Sequence, residues 1–90
     1  MKILHYTTQF KKDSKKYQKQ PEKIKKLLNI LWILKNDSVL PLELKAHKLA
    51  GQYKDCMKCH IEGDFLHIWF DNNSDIIRLL RLGSHSELFR

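Results

Sequence analysis

A two-layer α+β fold, with two N-terminal helices packed on an antiparallel sheet in the order β-α-α-β-β-β, is predicted by three features of this 90-residue chain. Apolar residues recur at helical spacing after Pro21, the pattern changes to short β-like runs beyond Gln52, and turn-forming residues divide that second half. Helices followed by hairpin-linked strands bury their apolar faces best as stacked layers. The length fits one domain over residues 1–90, which on folding buries a little over about 60% of the surface its unfolded chain exposes.

Residues 2–7, with Ile3, Tyr6 and Thr7, read as a short first strand. Residues 9–19, with Phe10 and Tyr17 set among lysines, read as a strongly basic helix. Pro21 suits the first turn of a second helix, whose Ile24, Leu27, Leu28, Leu31 and Leu34 form an apolar stripe that ends near Asn36-Asp37. Residues 37–51 carry Ser38, Pro41 and Gly51 without a sustained period and read as a long connection. Strands are expected over 53–61, 65–70 and 75–82, joined by Glu62-Gly63-Asp64 and Asp71-Asn72-Asn73-Ser74.

Charge is segregated along the chain. Residues 1–48 hold twelve Lys/Arg against four Asp/Glu, a net +8, whereas residues 49–90 hold five against six, a net −1. Such a surface draws polyanions, so nucleic acid or an acidic protein is the expected partner. Lys15, Lys16, Lys19, Lys54 and Lys58 are the candidate RNA-binding cations. Residues 1–6 lack the apolar core of a secretory signal, and no segment approaches membrane-spanning length, so a cytoplasmic protein with no membrane partner and reduced cysteines is expected.

The run Cys56-Met57-Lys58-Cys59-His60 satisfies the Cys-x-x-Cys-His pattern of covalent haem attachment. In a strand, residues three apart point to opposite faces, so the two thiols diverge, and no second cysteine pair completes a tetrahedral zinc site. Neither a metal nor any other cofactor is expected. If 53–61 is a strand, Met57, Cys59 and Ile61 share the face toward the helices, and Lys54, Cys56, Lys58 and His60 share the other. That second face is expected to carry His60, His67 and cations with aromatic neighbours, the ingredients of an RNA platform.

RNA cleavage through the 2′-hydroxyl needs a base, an acid for the leaving 5′-oxygen, and a cation for the charged phosphorane. Histidine suits both proton transfers because its pKa lies near neutrality. Arginine keeps its proton and offers phosphate a fork of donors. The C-terminal run Arg81-Leu82-Gly83-Ser84-His85-Ser86-Glu87-Leu88-Phe89 sets one of each four positions apart.

Several segments together resemble the YafQ-like branch of the RelE/ParE toxin superfamily of bacterial toxin-antitoxin pairs. They are His47-Lys48-Leu49-Ala50-Gly51, Tyr53-Lys54, Cys59-His60-Ile61-Glu62-Gly63-Asp64-Phe65 and Leu80 through Phe89. The resemblance implies a RelE-like fold and a ribosome-associated endoribonuclease that cuts mRNA without metal. A cognate acidic antitoxin is also implied, with operator DNA reached only through it. It places the site on His47, His60, Asp64, Arg81, His85 and Phe89: His85 and another histidine as acid and base, Arg81 on the phosphate, Asp64 on an imidazole, Phe89 on a base. Ala46, Met57, Lys58, Gly63 and Phe65 depart from the usual family pattern. Two other readings fit the composition: a non-cleaving toxin-fold module that acts with its antitoxin in DNA-bound autoregulation, and a small basic RNA-binding protein.

Overall fold

The computed structural model describes residues 1–89. Strand β1 (Ile3–Tyr6) leads through the helices α1 (Thr8–Lys15) and α2 (Pro21–Lys35) to the strands β2 (His47–Lys48), β3 (Met57–Glu62), β4 (Phe65–Phe70) and β5 (Ile76–Gly83), and one helical turn, α3 (His85–Leu88), ends the fold. Thr7 caps α1, its hydroxyl accepting from the Phe10 amide at 3.2 Å and donating to the Leu79 carbonyl at 2.7 Å. Pro21 opens α2, where a missing N–H costs nothing.

The α+β class and the two N-terminal helices are as expected, except that the first, expected over 9–19, ends at Lys15 in a turn, and the fold adds two features to the expected sheet. The five strands lie in the order β1-β5-β4-β3-β2, and β1 runs parallel to β5, so the sheet is mixed. Two residues of the expected long connection, His47 and Lys48, form an edge strand opposite Lys58 and Met57. The run expected over 53–61 is shortened at its start. Gly51–Tyr53 form a 3-10 turn and Asp55 takes φ +69, so pairing begins at Met57.

The main core lies between helices and sheet. Phe10, Leu27, Ile30, Leu31 and Leu34 meet Cys59, Ile61, Phe65, Trp69, Ile77, Leu79 and Leu82. The opposite face is not an open platform: Leu66 and Ile68 are covered by Cys56, Leu88, Leu49, Tyr53 and Phe89. Cys56 and Cys59 accordingly fall in different clusters, as their spacing requires, and both are free thiols.

His67 corrects the sequence-based placement. It lies opposite Cys59 and Leu82, on the helix side, where its ring stacks on Trp69 at 5.1 Å and meets Phe10 edge-on at 5.5 Å. The strand alternation was read correctly, but Phe65, His67 and Trp69 form the inward set, because their two aromatic rings carry the larger apolar surface. His67 is 0% exposed and neither ring nitrogen has a hydrogen-bond partner among the described residues.

Burial pushes the His67 pKa down to about 3, because a charged imidazole there would lose its hydration. The unfolded chain takes up a proton near pH 6.5 that the folded one refuses until about pH 3, so stability rises with pH through that window. Urea denaturation of the wild type is expected to show a loss on the order of a few kcal/mol between pH 7 and pH 4. His67→Leu is expected to remove most of that dependence; an unchanged slope would assign it to other groups.

Candidate active site

Strand β5 carries the central cation, and an irregularity in its pairing decides which way that cation points. Trp69 lies opposite Leu79 and Ile68 opposite Arg81, which leaves Leu80 as an extra residue. Under strict alternation, Arg81 would follow Ile77 and Leu79 into the helix-side core. The bulge turns it instead to the face of Ile68 and Lys58, the kind of re-aiming for which bulges are used.

β1 ends at Tyr6, opposite Leu79, so the last part of β5 has no strand neighbour on that side. Asp13 of α1 fills the gap. Its Oδ2 accepts from the Leu82 amide at 3.0 Å and from Arg81 Nε at 2.8 Å, and its Oδ1 accepts from Gln9 Nε2 at 3.0 Å and Arg81 Nη2 at 3.4 Å. The third guanidinium nitrogen, Nη1, donates to the Tyr53 hydroxyl at 3.1 Å, and that hydroxyl donates to the Leu88 carbonyl at 3.0 Å. The Asp13 hydrogen bonds are the main cause that raises the Arg81 pKa further above its ordinary value.

The C-terminal turn is fixed by its own capping box. Ser84 Oγ accepts from the Glu87 amide at 3.3 Å, and Glu87 Oε1 accepts from the Ser84 amide at 2.8 Å. Tyr17 donates to the same Glu87 oxygen at 2.9 Å, and Lys16 Nζ stands 3.6 Å from the other. The Ser84 amide, followed by the Tyr17 hydroxyl, pulls the Glu87 pKa down to about 2. Burial and then the Glu87 carboxylate push Tyr17 up to about 12. A Cβ at Gly83 would stand 2.9 Å from Glu87 Oε1, so the close return of this turn onto β5 depends on glycine.

This turn brings expected site residues together. The His85 and Phe89 rings stack with centroids 4.9 Å apart, Tyr53 meets Phe89 edge-on at 5.4 Å, and Lys58 Nζ lies 5.3 Å from the Phe89 centroid. Asp64 Oδ1 accepts from the His85 backbone amide at 3.0 Å. It thus steadies the start of the turn that carries the imidazole, where contact with a ring was expected. The geometry favours the amide because the β3-β4 hairpin carries Asp64 up to the first N–H of α3, which would otherwise be unsatisfied.

His60 lies on the same sheet face, in register with Leu66 and through it with Gly83, about 10 Å away across two strand spacings. Its Nδ1 is 3.3 Å from the Gly63 carbonyl, and His47 Nδ1 is 2.9 Å from the Lys45 carbonyl. A carbonyl only accepts, so in each bond Nδ1 carries the proton and leaves Nε2 of the neutral ring as an acceptor. His47 stands at the far edge, opposite Lys58, and contacts neither Arg81 nor His85 among the described residues. Lys15, Lys19 and Lys54 are exposed, while Lys16 and Lys58 stand beside the C-terminal turn.

Asp13, Tyr53 and Glu87 escaped the sequence-based reading of the site. Ser84-x-x-Glu87 is a legible capping signature, and Asp13, three residues after Phe10, is the lone acid of the first basic helix. Tyr53 lies in the Tyr53-Lys54 segment that carries the resemblance, yet nothing around it in the sequence marks it as a partner of Arg81. Among the described residues no group of three His, Cys, Asp or Glu side chains is placed to share a metal ion, and no helix is long and apolar enough to cross a membrane.

A mixed sheet under two helices, closed by an arginine-bearing strand and a histidine-bearing terminal turn, is the arrangement of a RelE-like toxin, and the comparisons agree. The chain matches the family described as bacterial toxin of type II toxin-antitoxin system, YafQ, over residues 2–90. The mRNA interferase toxin YafQ of Escherichia coli (strain K12) is 32% identical over 87 residues, 96% of this chain and 94% of that protein. The crystal structure of YafQ from E. coli strain BL21(DE3) superposes with a TM-score of 0.90 at 30% identity, covering 100% of both chains. YafQ in the E. coli DinJ-YafQ complex gives 0.87 at 31% identity, again over 100% of both. The chain therefore belongs to the YafQ family.

Removing the Glu87 carboxylate is expected to release the terminal turn while leaving the sheet intact. Glu87→Ala should lower stability by about 1 kcal/mol, the ordinary worth of such a cap, and should speed hydrogen exchange of the Leu88 and Phe89 amides. Protection equal to the wild type would show that packing of Leu88 alone holds the turn.

Proposed function

We infer that this chain, acting as a single toxin domain in the cytoplasm, is a ribosome-associated endoribonuclease that cleaves mRNA by attack of a ribose 2′-hydroxyl on the adjacent phosphorus. The observation that carries the reading is the posture of Arg81 beside the His85-Phe89 stack. Nε and one N–H of each Nη are engaged, which leaves one N–H on each Nη without a partner among the described residues. Donors left over on a fixed guanidinium can meet phosphate oxygens and stabilise the charge that builds on them.

His60 has Nε2 as an acceptor when neutral and serves as base toward the 2′-hydroxyl; His85, exposed at the start of α3, protonates the departing 5′-oxygen. His47, on the edge strand opposite Lys58, is the alternative partner of His85. Phe89, already stacked on His85 and flanked by Lys58, offers a face for a base. Asp64 sets the position of His85 through its amide. Lys15, Lys16, Lys19, Lys54 and Lys58 track phosphates of mRNA and ribosomal RNA.

The partner that restrains this activity is an acidic antitoxin, through which alone the complex meets operator DNA. The E. coli relative is found in complex with DinJ. Charge complementarity supports the same arrangement here. An apolar cleft of about 530 Å³ between α1 and α2, lined by Phe10, Ile24, Leu27 and Leu31, is edged by Lys11 and Lys25. Trp32 and Leu28, one helical turn apart on α2, remain 63% and 59% exposed and offer apolar surface to the same partner.

Transcript 5′ ends mapped after induction without antitoxin are expected to show new cuts carrying 5′-hydroxyl groups. His85→Ala and Arg81→Ala should each reduce them by about 10² or more. Identical ends and growth for wild type and both variants would defeat the nuclease reading. In a separate measurement, replacing Lys15, Lys16 and Lys19 with Gln is expected to lower the slope of log affinity for single-stranded RNA against log salt by about 2, from about 0.7 per lost phosphate contact. An unchanged slope would assign those lysines to other work.

A further inference from the structure

The geometry points to Asp13 as the positioning residue of the reaction, holding Arg81 so that its unengaged N–H groups face the scissile phosphate, with Tyr53 fixing Nη1. This rests on the reading of Arg81 as the phosphate-binding cation. Asp13 is 1% exposed and its carboxylate is fully engaged, so it cannot turn away without abandoning the Leu82 amide and Gln9. A carboxylate so deeply placed is costly unless cations and amides answer it, and Arg81 is its one ion-pair partner among the described residues.

The pairing is side-on. Nε and Nη2 together face the two Asp13 oxygens at 2.8 and 3.4 Å, which fixes the plane of the guanidinium as well as its position. Nη1 donates to Tyr53, 3.1 Å away, and Tyr53 is in turn tied to the Leu88 carbonyl and set against the Phe89 ring. Arginine is a long, flexible side chain, and a phosphorane needs it at one place and in one plane. Asp13 reaches no substrate; it acts through Arg81.

A merely structural Asp13 would also hold α1 against β5, so the test separates the two roles by coupling. Wild type, Asp13→Asn, Arg81→Ala and the double variant are compared in single-turnover cleavage of a short mRNA on programmed ribosomes. The temperature is kept well below unfolding. Asp13→Asn is expected to slow cleavage about 10- to 100-fold with the half-saturating ribosome concentration unchanged. In the Arg81→Ala background the same substitution is expected to cost less than about twofold, because nothing remains to be positioned. An unchanged rate, or an equal loss in both backgrounds, would overturn the proposal.

A second readout does not need cleavage and so survives failure of the nuclease reading. The Arg81 Nε–H resonance of nitrogen-15-labelled protein should be protected from solvent exchange in the wild type and exchange freely in Asp13→Asn. Equal protection in both would overturn the proposal. Should Asp13→Asn not fold, Asp13→Glu keeps the charge and shifts the carboxylate by one methylene. Cleavage by Asp13→Glu at the wild-type rate would equally defeat it, and a loss with unchanged half-saturation supports it.

Discussion

One carboxylate ties the molecule together. Asp13 closes the end of β5 that β1 leaves bare, joins the first helix to the last strand, and sets the plane of the guanidinium beside the terminal turn. Without it, the Leu82 amide would be a buried donor with no acceptor, and an unmade backbone bond of that kind costs about 1–3 kcal/mol. The interaction is therefore at once a substitute for a missing strand and the seat of the site's cation. A hydrophobic contact could have joined α1 to β5, but it could not have answered an amide or aimed an arginine.

Around that anchor the site is assembled from parts that are each locally ordinary. A bulge of one residue redirects β5, a capping box winds α3, and a hairpin acid catches the first amide of that turn. None of these needs strain or a rare cofactor. Their joint effect is that Arg81 on β5 and the stacked His85 and Phe89 of the terminal turn are held by separate supports. The two histidines further along the sheet, His60 and His47, are oriented by backbone carbonyls instead. The covering of the second sheet face by Tyr53, Leu88 and Phe89 gives these groups an apolar floor, which strengthens the electrostatics above it.

How much of this the sequence discloses depends on the range of the signal. The α2 stripe from Ile24 to Leu34 and the alternation over 65–70 report burial within one element, and both were read at nearly their true bounds. The parallel pairing of β1 with β5 joins residues more than seventy positions apart and leaves no local mark. The orientation of β4 was ambiguous because both of its faces are apolar; Leu66 and Ile68 compete with Phe65 and Trp69 for the inside, and His67 followed the larger rings. In the site, Arg81, His85 and Phe89 carry their chemistry in their identity and spacing. The supports were less legible: Asp13 looks like one acid among lysines, and Tyr53 sits in a turn that interrupts the strand expected there.

The separation of Asp13 from Arg81 by 68 residues has a consequence for the birth of the protein. A guanidinium on β5 finds its seat on α1 only when that strand has joined the sheet, and such distant partners come together late in folding. The cutting apparatus is accordingly among the last parts of the molecule to be assembled, after the local turns and helices have formed.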